Sequence, residues 1–234
     1  MKKVKRTENT KELKHQRVIQ SPTGALEKRL LIFLAARTPR KVNPDMLTFV
    51  GFVAAIIISV SYVLSKKNPI FLWLAIIGFI FNWYGDSMDG TLARYRKIER
   101  PRYGYFLDHS LDALSITLIF TGIGFSGYTS LGLAWAATII YLLFDLHTAL
   151  VNFTSREFKI TFAYIGPTEL RIIAIIASIW TYFNNSKFIH LPFGNYSVLD
   201  SLLLLLIVVF VPVYLVSVSS HTIRLYKEEP PLEY

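Results

Sequence analysis

The sequence of 234 residues contains no cysteine, and this absence excludes several protein classes together. A disulfide-stapled fold, a cysteine-ligated zinc site, a thiol redox motif and a cysteine nucleophile all require that residue. Charged residues are also scarce, at 18%, whereas 53% of the residues are hydrophobic and the mean hydropathy is +0.41. A soluble globular domain of this size carries more charge. The composition therefore predicts an integral membrane protein.

Long apolar runs follow a polar N-terminal segment. A membrane-spanning helix needs roughly 20 mostly apolar residues, because each residue rises about 1.5 Å through about 30 Å of hydrocarbon. Six stretches meet this requirement, at about 46–65, 70–90, 104–124, 131–152, 168–184 and 199–222. The sequence predicts an all-α bundle of six transmembrane helices, with residues 46–225 as the membrane domain and 226–234 as a cytosolic tail.

Basic residues are distributed unevenly over the predicted loops. Twelve of the 25 Lys and Arg residues precede residue 46, and the formal net charge is +9. With the N-terminus in the cytoplasm, 21 basic residues fall on that side and three, Lys66, Lys67 and Lys187, on the other. The positive-inside rule therefore predicts cytoplasmic N- and C-termini. We also expect the membrane to be a prokaryotic cell membrane. Because the basic residues border membrane helices, nucleic acid is disfavoured as a partner.

Residues 1–45 form the basic N-terminal segment. Residues 1–20 lack the apolar core of a cleaved signal peptide, so we expect the first membrane helix to direct insertion. From about Gly24 to Arg37, leucines and a phenylalanine alternate with basic residues, which predicts an amphipathic helix on the membrane surface. The alternative is a solvated basic tail that only enforces topology.

Acidic residues inside the apolar runs form two closely spaced pairs. Asp86 and Asp89 lie three residues apart near the end of the second run, and Asp108 and Asp112 lie four apart near the start of the third. These spacings place each pair on one helix face. Carboxylates in a bilayer are costly unless they face a cavity, a metal or a counter-charge. We expect two Mg²⁺ or Mn²⁺ ions here, because these cations prefer oxygen ligands; salt bridges to Arg94, Arg96 or Lys97 are the structural alternative.

The residues around these acids resemble the CDP-alcohol phosphatidyltransferase signature D-x2-D-G-x2-A-R-x8-G-x3-D-x3-D. The matching positions are Asp86, Asp89, Gly90, Ala93, Arg94, Gly104, Asp108 and Asp112. This sequence departs from the signature at one point, since nine residues, 95–103, separate the arginine from the second glycine. The extra residue falls in a predicted loop, where an insertion is readily absorbed.

The resemblance implies a phosphotransferase that cleaves the pyrophosphate of a CDP-linked alcohol and releases CMP. It further implies that the four aspartates hold the metals and that Asp112 has a second role as general base. Gly90, Ala93 and Gly104 would make room for the cytidine nucleotide, and Arg94 would contact phosphate. The upstream Asn43 and Thr48 match the N-P-x-x-L-T stretch of the family and would bind the nucleotide, although Asn-Pro is also an ordinary helix start. Members of the family are commonly homodimers.

Two further features resemble the choline/ethanolamine phosphotransferase branch. Asp108-His109 resembles its Asp-His pair, which makes His109 a candidate base for the acceptor hydroxyl, or alternatively only a neighbour of the metal site. The stretch 166–169, Gly-Pro-Thr-Glu, also occurs in that branch. Glu169 would attract an ammonium headgroup, or alternatively would pair with Arg171 or Arg156. Asp145, in the fourth predicted membrane helix, would line the substrate cavity.

We therefore expect transfer of phosphocholine or phosphoethanolamine from its CDP form to a diacylglycerol-like hydroxyl. The alternative is transfer of phosphatidyl from CDP-diacylglycerol to inositol phosphate, glycerol phosphate or serine. A phosphorylated acceptor would require additional basic residues, for which Arg171, Arg156 and Lys159 are candidates. A distant alternative is a small ion or proton transporter that uses the same acids as a relay.

Overall fold

The computed structural model of the protein describes residues 24–154, 166–184, 189–191 and 194–229. Within these ranges the chain forms seven helices and one short hairpin, so the predicted all-α class is confirmed apart from the hairpin. The elements are α1 (Gly24–Arg37), α2 (Pro44–Ser65), α3 (Phe71–Arg96), α4 (Pro101–Phe125), α5 (Leu131–Thr154), α6 (Pro167–Asn184), β1 (Ile189–Leu191), β2 (Gly194–Tyr196) and α7 (Val198–Glu228). The two strands pair antiparallel, with Ile189 opposite Tyr196.

Four of these helices are long and apolar enough to cross a membrane: α2, α4, α5 and α7. Helices α3 and α6 also form where apolar runs were predicted, but both carry charged residues, which include Asp86 and Arg171. The protein is thus a helical membrane protein. The count of six membrane-spanning helices stays a prediction.

The ends of the helices bring the acidic residues to one end of the bundle. Helix α3 terminates at Lys97, whose left-handed φ of 56° turns the chain out of the helix. Pro101 then starts α4, a position that suits proline because the first N–H of a helix has no internal partner. This short turn reverses the chain, so that the last turns of α3 lie beside the first turns of α4.

The helices that follow α1 pack as a closed ring. Helix α2 contacts α3 and α4, α4 contacts α5, α5 contacts α7, and α6 contacts both α7 and α3. The core contains Ile58, Tyr62, Leu72, Phe79 and Ile119 among its buried residues. The Tyr62 hydroxyl lies 2.7 Å from Ser178 Oγ, so the large buried ring keeps a polar partner.

Helices α2 and α3 approach each other closely at two glycines. A Cβ atom on Gly85 would lie 2.5 Å from the Leu47 carbonyl oxygen and 2.7 Å from the Gly51 Cα. Both obstacles are backbone atoms, which cannot rotate away as a side chain would. Glycine at position 85 therefore sets the separation of the two helices, one residue before Asp86.

Helix α1 docks on the bundle through one of its sides. Leu31 and Ala35 are buried against Leu47, Met88 and Leu92. The large apolar residues left exposed on this helix are Leu26, Leu30, Ile32 and Phe33. The predicted helix from Gly24 to Arg37 is therefore present, and its placement on a membrane surface stays a prediction.

A single arginine secures the linker between α1 and α2. The Arg96 guanidinium donates hydrogen bonds to three backbone carbonyl oxygens, those of Thr38 at 2.9 Å, Pro39 at 2.8 Å and Val42 at 2.6 Å. This arginine thus satisfies backbone acceptors of an irregular segment.

The predicted boundaries of the membrane domain, after residues 45 and 225, stay predictions. Helix α2 begins at Pro44, and α7 continues to Glu228, three residues beyond the predicted end of the membrane domain. The candidate acceptor-binding residues Arg156 and Lys159 lie outside the described residues, as does Lys187.

Replacing Gly85 by alanine is expected to destabilise the protein by roughly 1–3 kcal/mol, because the new Cβ would force backbone apart. The control is Gly132→Ala in α5, since a Cβ at position 132 meets nothing within 4 Å. Thermal unfolding in detergent compares the two variants. Equal midpoints for Gly85→Ala and the parent protein would contradict the close approach of α2 and α3.

The absence of native cysteine allows the predicted topology to be tested by single-cysteine labelling. A membrane-impermeant maleimide added to intact cells should label Lys67→Cys, in the turn after α2. It should label Glu99→Cys, in the turn after α3, only once the cells are permeabilised. The reverse pattern would overturn the predicted orientation.

Candidate active site

Three aspartates converge at one end of the helix ring. Asp86 comes from α3, whereas Asp108 and Asp112 come from successive turns of α4. Each contributes a carboxylate oxygen, and these oxygens all lie within 4.8 Å of one another. The cluster forms because the turn between α3 and α4 brings the two acidic helix faces together. All three side chains are half-buried.

Asp89 lies apart from this group of three. Its carboxylate accepts a 2.6 Å hydrogen bond from the Thr48 hydroxyl of α2 and another from the backbone N–H of Gly90. Asp89 is buried, and the bond from Thr48 ties α2 to α3 next to the cluster. The prediction that all four aspartates hold metal stays a prediction, with Asp89 in a different hydrogen-bonding environment from the others.

The positive charge that pairs with the cluster comes from α6. Arg171 Nη2 lies 2.6 Å from an Asp86 carboxylate oxygen, and Arg171 Nε donates a 2.8 Å hydrogen bond to Asn82 Oδ1. Asn82 in turn donates to the carbonyl oxygen of Gly51 at 2.9 Å. Arg171 Nη1 is buried and, among the residues that the structure describes, donates to no hydrogen-bond partner. One strong donor of the guanidinium thus remains unsatisfied beside the acids.

The structural alternative, pairing of the acids with basic residues of α3, is met in part by Arg94, which is close enough to interact electrostatically with Asp89. Arg96 binds backbone carbonyl oxygens of the α1–α2 linker, as described above, while Asp86 pairs with Arg171 from a distant part of the chain. Arg94 Nη2 donates to the Thr91 hydroxyl at 3.3 Å. The Arg94 guanidinium therefore lies along its own helix, at an exposed position.

The glycines of the signature differ in their surroundings. A Cβ on Gly90 would lie 3.1 Å from Arg94 Nη1, so this glycine leaves space for the guanidinium. A Cβ on Gly104 would meet nothing within 4 Å. Ala93 is half-buried one residue before the arginine. The predicted contacts of Gly90, Ala93 and Gly104 with a nucleotide stay predictions, as does that of Asn43, whose side chain does not cap α2.

His109 lies at the edge of the acidic cluster. Its ring stacks on Tyr105 with 4.0 Å between centroids, and its Nδ1 lies 3.9 Å from an Asp108 carboxylate oxygen. Asp145 of α5 interacts electrostatically with both His109 and Asp112, so it faces the same region. Glu169 instead accepts a 2.8 Å hydrogen bond from the backbone N–H of Gly166 and caps the start of α6.

Several residues of this region were missed by the sequence analysis. The cavity beside the acids is lined by Thr48, Gly51, Phe52, Asn82, Asp86, Asp108, Leu111, Asp112 and Ser115. Tyr141 of α5 is close enough to interact electrostatically with Asp112 and Arg171. A signal for these residues was present, because Asn82 precedes Asp86 by four residues, Ser115 follows Asp112 by three and Tyr141 precedes Asp145 by four.

The acidic cluster fits a divalent cation. Three carboxylates face one partnered arginine, so negative charge exceeds positive charge among these side chains. Their oxygens are the ligands preferred by Mg²⁺ and Mn²⁺. Asp86, Asp108 and Asp112 would hold such an ion. The choice between the two metals and the predicted second ion stay predictions.

Fold and site together define a class: a helical membrane protein with a carboxylate cluster suited to metal-dependent phosphoryl chemistry. A family model described as CDP-alcohol phosphatidyltransferase matches residues 41–213, which include the whole cluster and Arg171. The chain belongs to the CDP-alcohol phosphatidyltransferase family. The family predicted from the signature is thereby confirmed.

Curated relatives share part of the chain. It is 30% identical over 102 residues to the archaetidylinositol phosphate synthase of Pyrococcus horikoshii, covering 44% of this chain and 49% of that protein. It is 37% identical over 87 residues to the protein of the same name from Methanothermobacter thermautotrophicus, covering 37% of this chain and 42% of that protein. The phosphatidylinositol phosphate synthase of Cutibacterium acnes is 32% identical over 117 residues, which cover 47% of this chain and 52% of that protein. The chain thus spans about half the length of the curated relatives it matches.

Removing one carboxylate from the cluster is expected to weaken metal binding. Asp108→Asn should lower the affinity for Mn²⁺ by at least about tenfold, because a charged oxygen ligand becomes a neutral amide. Electron paramagnetic resonance of free Mn²⁺ measures this without substrate. The matched control is Asp45→Asn, whose carboxylate pairs with Arg100 at the surface and is expected to change nothing. Equal Mn²⁺ affinity in both variants would contradict the metal site.

Proposed function

We propose that the protein transfers the phosphatidyl, or equivalent phospholipid, group of a CDP-lipid to a hydroxyl of a phosphorylated polyol such as inositol phosphate, and releases CMP. The observation that carries this proposal is the buried, unsatisfied Nη1 of Arg171 beside the acidic cluster. The family membership supports the CDP-dependent chemistry. The names of the three relatives support inositol phosphate as the acceptor.

Arg171 suits a phosphorylated acceptor better than a neutral one. A buried donor without a partner costs about 1–3 kcal/mol, so a substrate oxygen that accepts from Nη1 would recover this energy. Arginine binds phosphate through several parallel N–H donors. The bonds from Nη2 to Asp86 and from Nε to Asn82 would hold the guanidinium in orientation while Nη1 binds the phosphate.

The transfer exchanges one phosphorus–oxygen bond for another. The acceptor hydroxyl oxygen forms a bond to the lipid-bearing phosphorus of the CDP-lipid, the pyrophosphate bond breaks, and CMP leaves with the bonding electrons. A divalent cation held by Asp86, Asp108 and Asp112 would offset the negative charge of the pyrophosphate. Asn43, Thr48, Gly90, Ala93, Arg94 and Gly104 would bind the nucleotide half of the donor substrate, with Asp89 oriented by Thr48.

The proton of the acceptor hydroxyl needs a base. We assign this role to Asp112, because its side chain lines the cavity together with Asp86 and Asp108. His109 is the second candidate, and its ring is stacked on Tyr105 at the edge of the cluster. Asp145 and Tyr141 would shape the electrostatic field on the side of α5.

The first hypothesis, transfer of phosphocholine or phosphoethanolamine to a diacylglycerol-like hydroxyl, has less support. It rests on the Asp108-His109 pair and on the stretch that ends in Glu169. The Glu169 carboxylate accepts a hydrogen bond from the Gly166 backbone, which gives it a structural role at the start of α6.

We further propose that this end of the bundle faces the cytoplasm. We also propose that the protein lies in a prokaryotic cell membrane and forms a homodimer.

Release of CMP by the purified protein in detergent with Mg²⁺ tests the proposed function. CDP-diacylglycerol or CDP-archaeol with inositol phosphate should release CMP, and free inositol should not replace the phosphorylated acceptor. CDP-choline or CDP-ethanolamine with diacylglycerol should release none. Release only in the second pairing would overturn the proposal and restore the phosphocholine hypothesis.

Arg171→Lys is expected to raise the KM for inositol phosphate by about 10–100-fold, because the charge stays but the planar set of donors is lost. The KM for the CDP-lipid should stay within about threefold of the parent value. The control is Arg224→Lys, whose parent side chain pairs with Glu228 near the end of α7. Steady-state kinetics with each substrate varied in turn measures both constants. A KM for inositol phosphate that Arg171→Lys leaves unchanged would contradict the assigned role.

A further inference from the structure

Glu27 of α1 joins three parts of the molecule through one carboxylate oxygen. Its Oε1 accepts hydrogen bonds from Trp83 Nε1 at 2.7 Å, from the Ser87 hydroxyl at 3.2 Å and from the Thr168 hydroxyl at 3.0 Å. Trp83 and Ser87 belong to α3, and Thr168 belongs to the first turn of α6. Glu27 is the only acidic residue of α1. It is absent from the metal cluster and from the residues assigned to substrate above.

The donors to Glu27 lie within one helical turn of the residues that orient Arg171. Trp83 and Ser87 flank Asp86 on α3, at three residues before it and one after it. Thr168 precedes Arg171 by three residues on α6. The Glu27 carboxylate therefore bridges α3 and α6 about one turn away from the Asp86–Arg171 ion pair. Moving the start of α6 away from α3 would move the guanidinium with it.

The docking of α1 does not rest on this carboxylate alone. Leu31 and Ala35 bury the middle of α1 against Leu47, Met88 and Leu92. Apolar packing thus also holds α1 against the bundle, and the distinct contribution of Glu27 is its hydrogen bond to Thr168 of α6. An acceptor attached to a docked helix can fix the position of a neighbouring helix end.

We infer that Glu27 is a positioning residue, which holds the start of α6 against α3 and thereby sets Arg171 for the phosphorylated acceptor. This inference rests on the proposed function for the identity of that acceptor. The bridge itself is independent of it, since its hydrogen bonds join protein groups only. The N-terminal helix would in this way influence the affinity for one of the two substrates.

Kinetic measurements on two variants separate positioning from general stability. Glu27→Ala and Thr168→Val each remove the α1–α6 hydrogen bond. Each variant is expected to raise the KM for inositol phosphate about fivefold to tenfold and to leave the KM for the CDP-lipid unchanged. The double variant should be no worse than Glu27→Ala, because both changes break the same bond. Glu27→Gln keeps the acceptor oxygen and should stay within about twofold of the parent protein.

The matched control is Lys28→Ala, which removes an exposed charged side chain from the neighbouring position of α1. It should leave both KM values unchanged. An equal rise of both KM values in Glu27→Ala, a fall in kcat alone, or additive effects of Glu27→Ala and Thr168→Val would each overturn the inference.

A distance measurement tests the bridge without any substrate. Spin labels at Ile32→Cys on α1 and Ile176→Cys on α6, both exposed positions, can be attached without background because the chain has no cysteine. Double electron–electron resonance should give a broader distribution in Glu27→Ala than in Glu27→Gln or the parent protein. A distribution that Glu27→Ala leaves unchanged overturns the bridge, whereas a broadened one supports it even where inositol phosphate proves to be the wrong acceptor.

Discussion

The repulsion among three carboxylates is the constraint on which the rest of this structure depends. Two like charges less than 5 Å apart repel by roughly 3–4 kcal/mol at an effective dielectric constant of about 20, and Asp86, Asp108 and Asp112 form three such pairs. Arg171 offsets part of this repulsion through its ion pair with Asp86. The remainder favours binding of a cation. The instability of the ionised cluster in isolation would therefore contribute to its affinity for a divalent cation.

The surrounding helices hold the acids together against this repulsion. The absence of side chains at Gly51 and Gly85 lets α2 and α3 pack backbone against backbone, one residue before Asp86. Asn82 links Arg171 to the backbone of α2, and Thr48 links α2 to Asp89. Helix α1 adds the Glu27 carboxylate, which accepts hydrogen bonds from both α3 and α6. These links join α2 to α3, α3 to α6, and α1 to both α3 and α6, and together they hold the site from several directions.

The proposed acceptor differs from the first hypothesis mainly because of one residue, Arg171. The Asp108-His109 pair and the stretch ending in Glu169 favoured a choline or ethanolamine substrate when only neighbouring residues were considered. In the folded chain, Glu169 caps α6 and His109 stacks on Tyr105. Arg171, which the sequence analysis named only among alternatives, lies directly beside the acids. This buried arginine with its unsatisfied donor is the observation from which the proposed phosphorylated acceptor is argued.

The sequence by itself determined the positions of the helices, the two acidic faces and the family, because these depend on local periodicity, on runs of apolar residues and on a spaced signature. The tertiary structure alone decided which groups meet across the bundle. Asn82 and Arg171 are 89 residues apart, and Glu27 and Thr168 are 141 apart, yet both pairs form hydrogen bonds. It also separated Asp89 from the other three acids, since Thr48 of α2 holds its carboxylate. The physical reason is that helix periodicity specifies which side of a helix a residue occupies, whereas only packing specifies which helix lies opposite.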